Sequence, residues 1–251
     1  MSFLRVIIPT YNGGKYLPRM VECIRKQTMQ DYHLIIVDDI STDDTWDIIK
    51  SLKPDKALKL RKKGYAGGAR NEGMKYFKDD LYTFWLDDDD VLMDDHVFEW
   101  IKENAEQNDY PDIIRLNYIK TTLSTGLPGK HHDRYPDPIT PADICKDIIR
   151  GMPWTKVVKS EKCVDFPTDL IVDDCYQHIM QCDVCETASV VHKDCYEWLV
   201  RDGSITTTKN SVMKESGWYL EIAKLMRNTY IHDYAREAAD MRIAWIKKNR
   251  L

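Results

Sequence analysis

With 251 residues and a net charge of −5, the chain is long enough for one large α/β domain or two small ones, and it has no general electrostatic pull toward nucleic acid or anionic lipid. A composition of 43% apolar and 31% charged residues is that of an ordered globular protein, with no apolar run near the ~18–20 residues that span a bilayer. The apolar stretch before Pro9 is too short for a signal peptide, so a cytoplasmic location is expected, with the seven cysteines as reduced thiols.

"FLRVIIP" is a short apolar run closed by Pro9 and the turn signal Asn12-Gly13-Gly14, and it predicts a first strand. Residues 15–27 place Tyr16, Leu17, Met20, Val21 and Ile24 at helical spacing. "HLIIVDD" predicts a second strand, and Ser41 or Thr42 can cap the helix that follows through Ile49. "ALKLRK" is a weaker third strand whose basic end, Lys59 to Lys63, reads as solvated. Gly64 to Arg70 predicts a glycine-rich connection into a helix near 69–77, and "YTFWL" a fourth strand running into Asp87–Asp90.

Further on, "DIIRLNYIK" predicts a strand, residues 121–139 a long loop, "PADICKDIIR" a helix after Thr140, and "WTKVVKSE" another strand. Two amphipathic helices are expected after Ser211, one striped by Trp218, Ile222, Leu225 and Met226, the other by Tyr234, Ala238, Met241 and Trp245. The division expected is a catalytic domain over 1–208 and a helical extension over 209–251 packed on it. Cys182, Cys185, His192 and Cys195 have a spacing similar to a zinc set, but 186–200 reads as a strand whose alternation would scatter those ligands. Buried thiols are the default reading.

Strands alternating with helices imply a parallel sheet covered on both faces, with ligands bound beyond the carboxyl ends of its strands. Thr10-Tyr11-Asn12, Asp38-Asp39 and Asp87–Asp90 all fall at such ends. Carboxylates at i and i+2 of an extended segment point to one side, and hard cations such as Mn2+ or Mg2+ take oxygen ligands, so Asp87 and Asp89 suit a metal-bound nucleoside diphosphate. Asp88-x-Asp90 is an alternative register. Asp94 and Asp95 suit the start of the next helix.

"VIIPTYNGGKYLPRMVECIRKQT", "LIIVDDISTDDT", "GGARNEG" and "FWLDDDDVL", in this order, resemble the family 2 glycosyltransferases of the GT-A fold, and "FPTDLIVDDCYQ" and "YEWLVRDGSIT" are similar to its downstream blocks. The resemblance implies a Rossmann-like α/β domain with a mostly parallel central sheet. It also implies an inverting, metal-assisted transfer from a UDP-sugar to an acceptor hydroxyl. By the same resemblance Pro9, Thr10 and Tyr11 wall the nucleotide pocket, Asp39 contacts uracil, and Arg70 and Asn71 lie near the nucleotide or sugar. Asp87 and Asp89 are the D-x-D, with Mn2+ or Mg2+ as cofactor. Asp174, beside Asp173 where the family often has Glu, is the candidate base. Arg201 and Ser204 match a loop over the diphosphate, and Trp154 and Lys156 a block that shapes the acceptor side.

"NGGKYLPR" departs from a P-loop, which disfavours a nucleotidyltransferase. A non-catalytic nucleotide-sugar-binding protein is a further alternative. The acceptor stays open among a glycan, a lipid-linked sugar that would bring the protein to the inner membrane face, a protein, and a hydroxylated DNA base. For DNA, Lys130, His131, His132 and Arg134 would have to form a local basic groove against the overall acidity.

Overall fold

The computed structural model describes residues 1–124, 130–132, 135–146, 151–168, 174–201 and 230–250. Its centre is a parallel set of four strands: β1 (Leu4–Thr10), β2 (Tyr32–Asp38), β3 (Lys56–Lys59) and β4 (Tyr82–Trp85), in the order β3-β2-β1-β4. Every residue of β1 and β4 is buried, which explains their mostly apolar character, and the buried Arg5 Nε donates to Thr83 Oγ1 across the pair at 3.0 Å. Alternation still decides which layer each side chain joins. Leu4, Val6 and Ile8 pack with α1 (Leu17–Arg25) and α4 (Val97–Gln107) on one face. Ile7, Ile35 and Val37 pack on the other with α3 (Tyr65–Met74), α5 (Pro141–Lys146) and α6 (Asp174–Asp183).

The expected α/β class holds, with helices on both faces of a sheet whose second half is mixed. β8 (Lys156–Lys159) runs antiparallel to β4 and to β6 (Ile113–Thr122). β6 is parallel to the long β9 (Ala188–Val200), and β9 is antiparallel to the short β5 (Val91–Leu92). Counting β7 (Lys130–His132), which pairs with β6, nine strands form one sheet among the described residues.

Several local expectations are corrected. α3 starts at Tyr65, so Gly67 and Gly68 lie inside a helix rather than in a connection. A Cβ on Gly73 would lie 2.7 Å from Ile7, so that bare position is what lets α3 settle on β1. α2 (Thr45–Leu52) is preceded by Asp44 rather than capped by Ser41 or Thr42; Ser41 Oγ instead accepts the Asn12 amide at 2.9 Å. α4 starts after His96, with Asp94 holding the His96 amide at 2.9 Å in the turn before it. The loop expected over 121–139 contains the end of β6 and all of β7, so His131 and His132 lie on a strand paired with β6, while Arg134 is outside the described residues.

Cys182 and Cys185 join one core layer and Cys195 the other, whereas His192 faces Asp137 at 3.7 Å. At the C-terminus, α7 (Asp233–Arg250) buries Ala235, Ala238 and Ala239. Asp183 accepts the Ile231 and His232 amides at 2.7 and 2.8 Å just before it. Met241, expected in the buried stripe, is exposed, because alanines let this helix lie close. The helix expected around Trp218 to Met226 falls outside the described residues.

Candidate active site

The carboxyl ends of β1, β2 and β4 meet at one rim, and each delivers a polar side chain there. From β2, Asp39 accepts the Gly64 amide at 2.8 Å and the Lys63 ammonium at 2.9 Å, and its own amide donates to Thr10 O at 2.9 Å. Lys63 also lies over the Tyr11 ring, 3.0 Å from its centroid, so the end of "KLRKK" belongs to the rim rather than to solvent. Lys59 pairs with the buried Asp38 at 3.2 Å. Directly after Asp39, Ile40 has a φ of 60°, a conformation that a β-branched residue adopts only where its surroundings impose it. Pro9, buried in β1 opposite Val37, and Tyr11, half-exposed, flank Thr10.

The aspartate run diverges side chain by side chain. Asp87 accepts Arg70 Nη2 at 2.8 Å. Asp88 accepts the Thr10 hydroxyl. Asp89 Oδ2 takes both Nε and Nη2 of Arg201 at 2.9 and 2.8 Å. Asp90, 1% exposed, turns inward, where its two oxygens accept the Tyr196 hydroxyl and the Leu199 amide, each at 2.8 Å. Asp90 is thus held inward, whereas the Asp87 and Asp89 side chains retain 34% and 22% exposure, each beside an arginine.

Crowding of carboxylates shows in their protonation. Burial, assisted by the Asp89 charge, pushes the Asp88 carboxyl up to about 7. Burial also raises Asp87, against the pull of Arg70, with the charges of Asp89 and Asp174 adding to the rise. Asp90 is raised well above the usual range by burial and then by Asp87 and Asp89. Asp174, the first residue of α6, thus stands within electrostatic reach of the run.

Three predicted residues are engaged elsewhere. Asn71 makes a reciprocal pair with the Phe166 backbone, its Nδ2 donating at 2.8 Å and its Oδ1 accepting at 2.7 Å. The Phe166 ring lies beneath the Arg70 guanidinium, 5.1 Å from its centroid, so Asn71 supports Arg70 from below. Trp154 and Lys156 are interior residues, and they offer an acceptor no direct surface. Trp154 stacks on Tyr196 at 4.4 Å and 12°. The Lys156 ammonium is held by Gly151 O at 2.6 Å, Met152 O at 3.0 Å and His178 Nδ1 at 3.2 Å. Asp173 and Ser204 lie outside the described residues. Lys63, Arg19, which donates to Asp89 O at 2.7 Å, and Tyr196 are site residues that no motif flagged.

The model of glycosyl transferase family 2 matches residues 5–150, which carry the first three strands of the rim and the aspartate run. The chain belongs to that family. Among its relatives, the poly(ribitol-phosphate) β-N-acetylglucosaminyltransferase TarP of Staphylococcus aureus is 40% identical over 41% of this chain and 34% of its own length. The Streptococcus pneumoniae glycosyltransferase GlyG is 33% identical over 50% of this chain and 42% of its own. The chain therefore spans well under half of these curated relatives. Among solved structures, residues 1–349 of S. aureus TarS in complex with UDP-GlcNAc superpose with a TM-score of 0.78 at 20% identity, covering 98% of this chain and 72% of that one. This likeness shows that the chain has the same GT-A fold.

Proposed function

We propose that this family 2 protein transfers a sugar from a UDP-sugar to an acceptor hydroxyl with inversion. The observation that carries the reading is the convergence of Asp39, Asp87 and Asp89 on one rim, with Arg70 bonded to Asp87, Arg201 bonded to Asp89 and Asp174 in electrostatic range. The solved TarS complexes contain UDP-GlcNAc or UDP, and Escherichia coli WfaP is a UDP-Glc-dependent glucosyltransferase acting on a diphosphoundecaprenol-linked sugar. These support a UDP-sugar donor and a glycan or lipid-linked acceptor. No helix among the described residues is long and apolar enough to cross a membrane, and the reading puts the protein in the cytoplasm, peripheral to the membrane where the acceptor is lipid-linked.

In this reading Asp39 accepts the imide N–H of uracil, and Pro9, Thr10 and Tyr11 wall the base and ribose, with Asn71 near them through Arg70. Arg70 and Arg201 turn from the carboxylates to the diphosphate, and Ser204 joins them. Two carboxylates at a strand end fit Mn2+ or Mg2+, which takes one or two such ligands and completes its shell with phosphate oxygens and water. A mannosyltransferase from Pyrobaculum calidifontis, similar in fold at a TM-score of 0.63, was solved with GDP-Man and Mn2+. When bound, such an ion offsets the charge that develops on the leaving diphosphate.

Asp174, with Asp173 beside it, acts as the base. The acceptor oxygen attacks the anomeric carbon as its proton passes to Asp174, the bond from that carbon to the diphosphate breaks, and UDP leaves with the electron pair. The test is a panel of sugar nucleotides assayed with Mn2+ for UDP release, together with Asp174→Asn. UDP release that Asp174→Asn nearly abolishes, at unchanged donor affinity, is expected. Folded protein that releases UDP from no donor would overturn the reading.

A further inference from the structure

Asp90 and Tyr196 are absorbed by none of the roles above, yet one oxygen atom joins both ends of the aspartate run. The Tyr196 hydroxyl donates to Asp90 Oδ2 at 2.8 Å and accepts the Asp87 amide at 3.2 Å. Three residues on along β9, the Leu199 amide holds the other Asp90 oxygen at 2.8 Å. The pairing of Leu92 with Tyr196 and Val91 with Glu197 fixes the chain as it leaves the run. The Tyr196 ring has no freedom to swing: Trp154 is stacked on it at 4.4 Å, and Tyr118 meets Trp154 edge-on at 4.9 Å.

We propose that Tyr196 is a positioning residue whose hydroxyl sets the backbone of Asp87 through Asp90, and so aims the Asp87 and Asp89 carboxylates at the metal-diphosphate of the donor. This rests on the metal role given to that pair above. The entry and exit of the four-residue turn Asp87–Asp90 are both pinned to β9, so the directions in which the Asp87, Asp88 and Asp89 side chains leave the backbone are set there. Burial keeps the hydroxyl protonated, and Asp90 then receives a neutral donor. The inference also gives Trp154 a task that its burial permits: it braces the tyrosine.

The experiment measures Mn2+ affinity in the presence of UDP, by the electron paramagnetic resonance signal of free Mn2+, for the wild type, Tyr196→Phe and Asp89→Asn. Tyr196→Phe keeps the ring and its stack and removes one oxygen. Support for a neighbour acting behind metal ligands is commonly worth tenfold to a hundredfold in affinity, so a loss of about tenfold or more is expected, with kcat falling and the acceptor KM unchanged. A residue that only stabilised the core would lower the melting temperature and leave the Mn2+ affinity of the folded protein alone. Mn2+ affinity within about twofold of wild type in folded Tyr196→Phe, while Asp89→Asn loses it, overturns this inference and leaves the metal reading intact. Wild-type protein that binds no Mn2+ with UDP overturns both. Should Tyr196→Phe not fold, the isosteric Asp90→Asn, which leaves one oxygen for two donors, is expected to weaken Mn2+ in the same direction. Wild-type affinity in that variant overturns the inference equally.

Discussion

Gly13 lies directly beneath Asp88, so close that a Cβ at this position would overlap the Asp88 carboxylate and the Thr10 hydroxyl it bonds. Only a residue without a side chain lets the β1 turn and the β4 turn pass each other. Gly13→Ala is therefore expected to push Asp88 off Thr10 and to separate the two walls of the rim. Overpacking of this kind costs about 1–3 kcal/mol. Isothermal titration should show UDP affinity falling roughly tenfold or more while the far-ultraviolet spectrum is kept.

The four aspartates should respond differently to the same change. Asp87→Asn and Asp89→Asn are expected to abolish Mn2+-dependent UDP binding, since those two partly exposed carboxylates pair with arginines rather than with Thr10 or the sheet. Asp88→Asn should retain metal dependence, because its carboxylate is turned to Thr10. Asp90→Asn should lower stability by about 1–3 kcal/mol and weaken Mn2+ binding without abolishing it, since one of its two buried donors loses an acceptor. Titration of Mn2+ against each variant, with thermal melts alongside, separates the four outcomes.

His178 supplies a pH prediction. Burial, then the Lys156 and Arg115 charges, hold its imidazole pKa well below 6.5, so it stays neutral, with one nitrogen facing Lys156 and the other Ile144 O at 2.9 Å. The unfolded chain protonates this histidine below about 6.5 and the folded chain does not, so its contribution to stability is full above that pH and declines as the pH falls. The slope for one such group is about 1.4 kcal/mol per pH unit. An NMR titration should find His178 unprotonated at pH 5.5, and a midpoint near the ordinary histidine value would refute this.

Lys156 should behave as a structural cation. Lys156→Met would strip the Gly151 and Met152 carbonyls and His178 Nδ1 of a shared donor. A loss of about 1–3 kcal/mol is expected for unsatisfied buried acceptors. At a temperature where the variant is folded, the acceptor KM should match wild type. A selective rise in that KM would return Lys156 to the acceptor surface.

Asn71→Ala removes both bonds to the Phe166 backbone and loosens the support beneath Arg70. The expected result is a drop in melting temperature together with a raised donor KM. Unchanged values of both would leave Asn71 without the role described.

β1, α1, β2 and β4 were legible because each keeps one local pattern, a continuous apolar run or a helical stripe, and the rim followed from where those runs end. The pairing of Asp87 with Asp89 rested on the resemblance, and the run itself lies in a turn beyond β4 rather than along a strand. What escaped depends on partners distant in the chain. Nothing in "YEWLV" marks Tyr196 as different from any buried tyrosine until β9 lies beside β5. Lys63 reads as one of several surface lysines until Asp39 is placed opposite it. Lys156 reads as exposed because a buried ammonium is disfavoured unless its partners converge, and those partners come from a turn and a helix that sequence alone does not bring together. α3 was obscured by its glycines, of which Gly73 serves close approach to β1.

The anchorage of Asp90 has a consequence for the order in which the protein matures during synthesis. Its two partners lie 106 and 109 residues further along the chain. A nascent chain that has just emerged through residue 150 already contains all four parallel strands and the whole aspartate run, yet nothing to fasten that run at its far end. Domains are completed in the direction of translation, so the sheet can assemble early while the carboxylates become ordered only when β9 arrives. Under the proposed function, competence for the donor is thus withheld until β9, the last strand among the described residues, has been made.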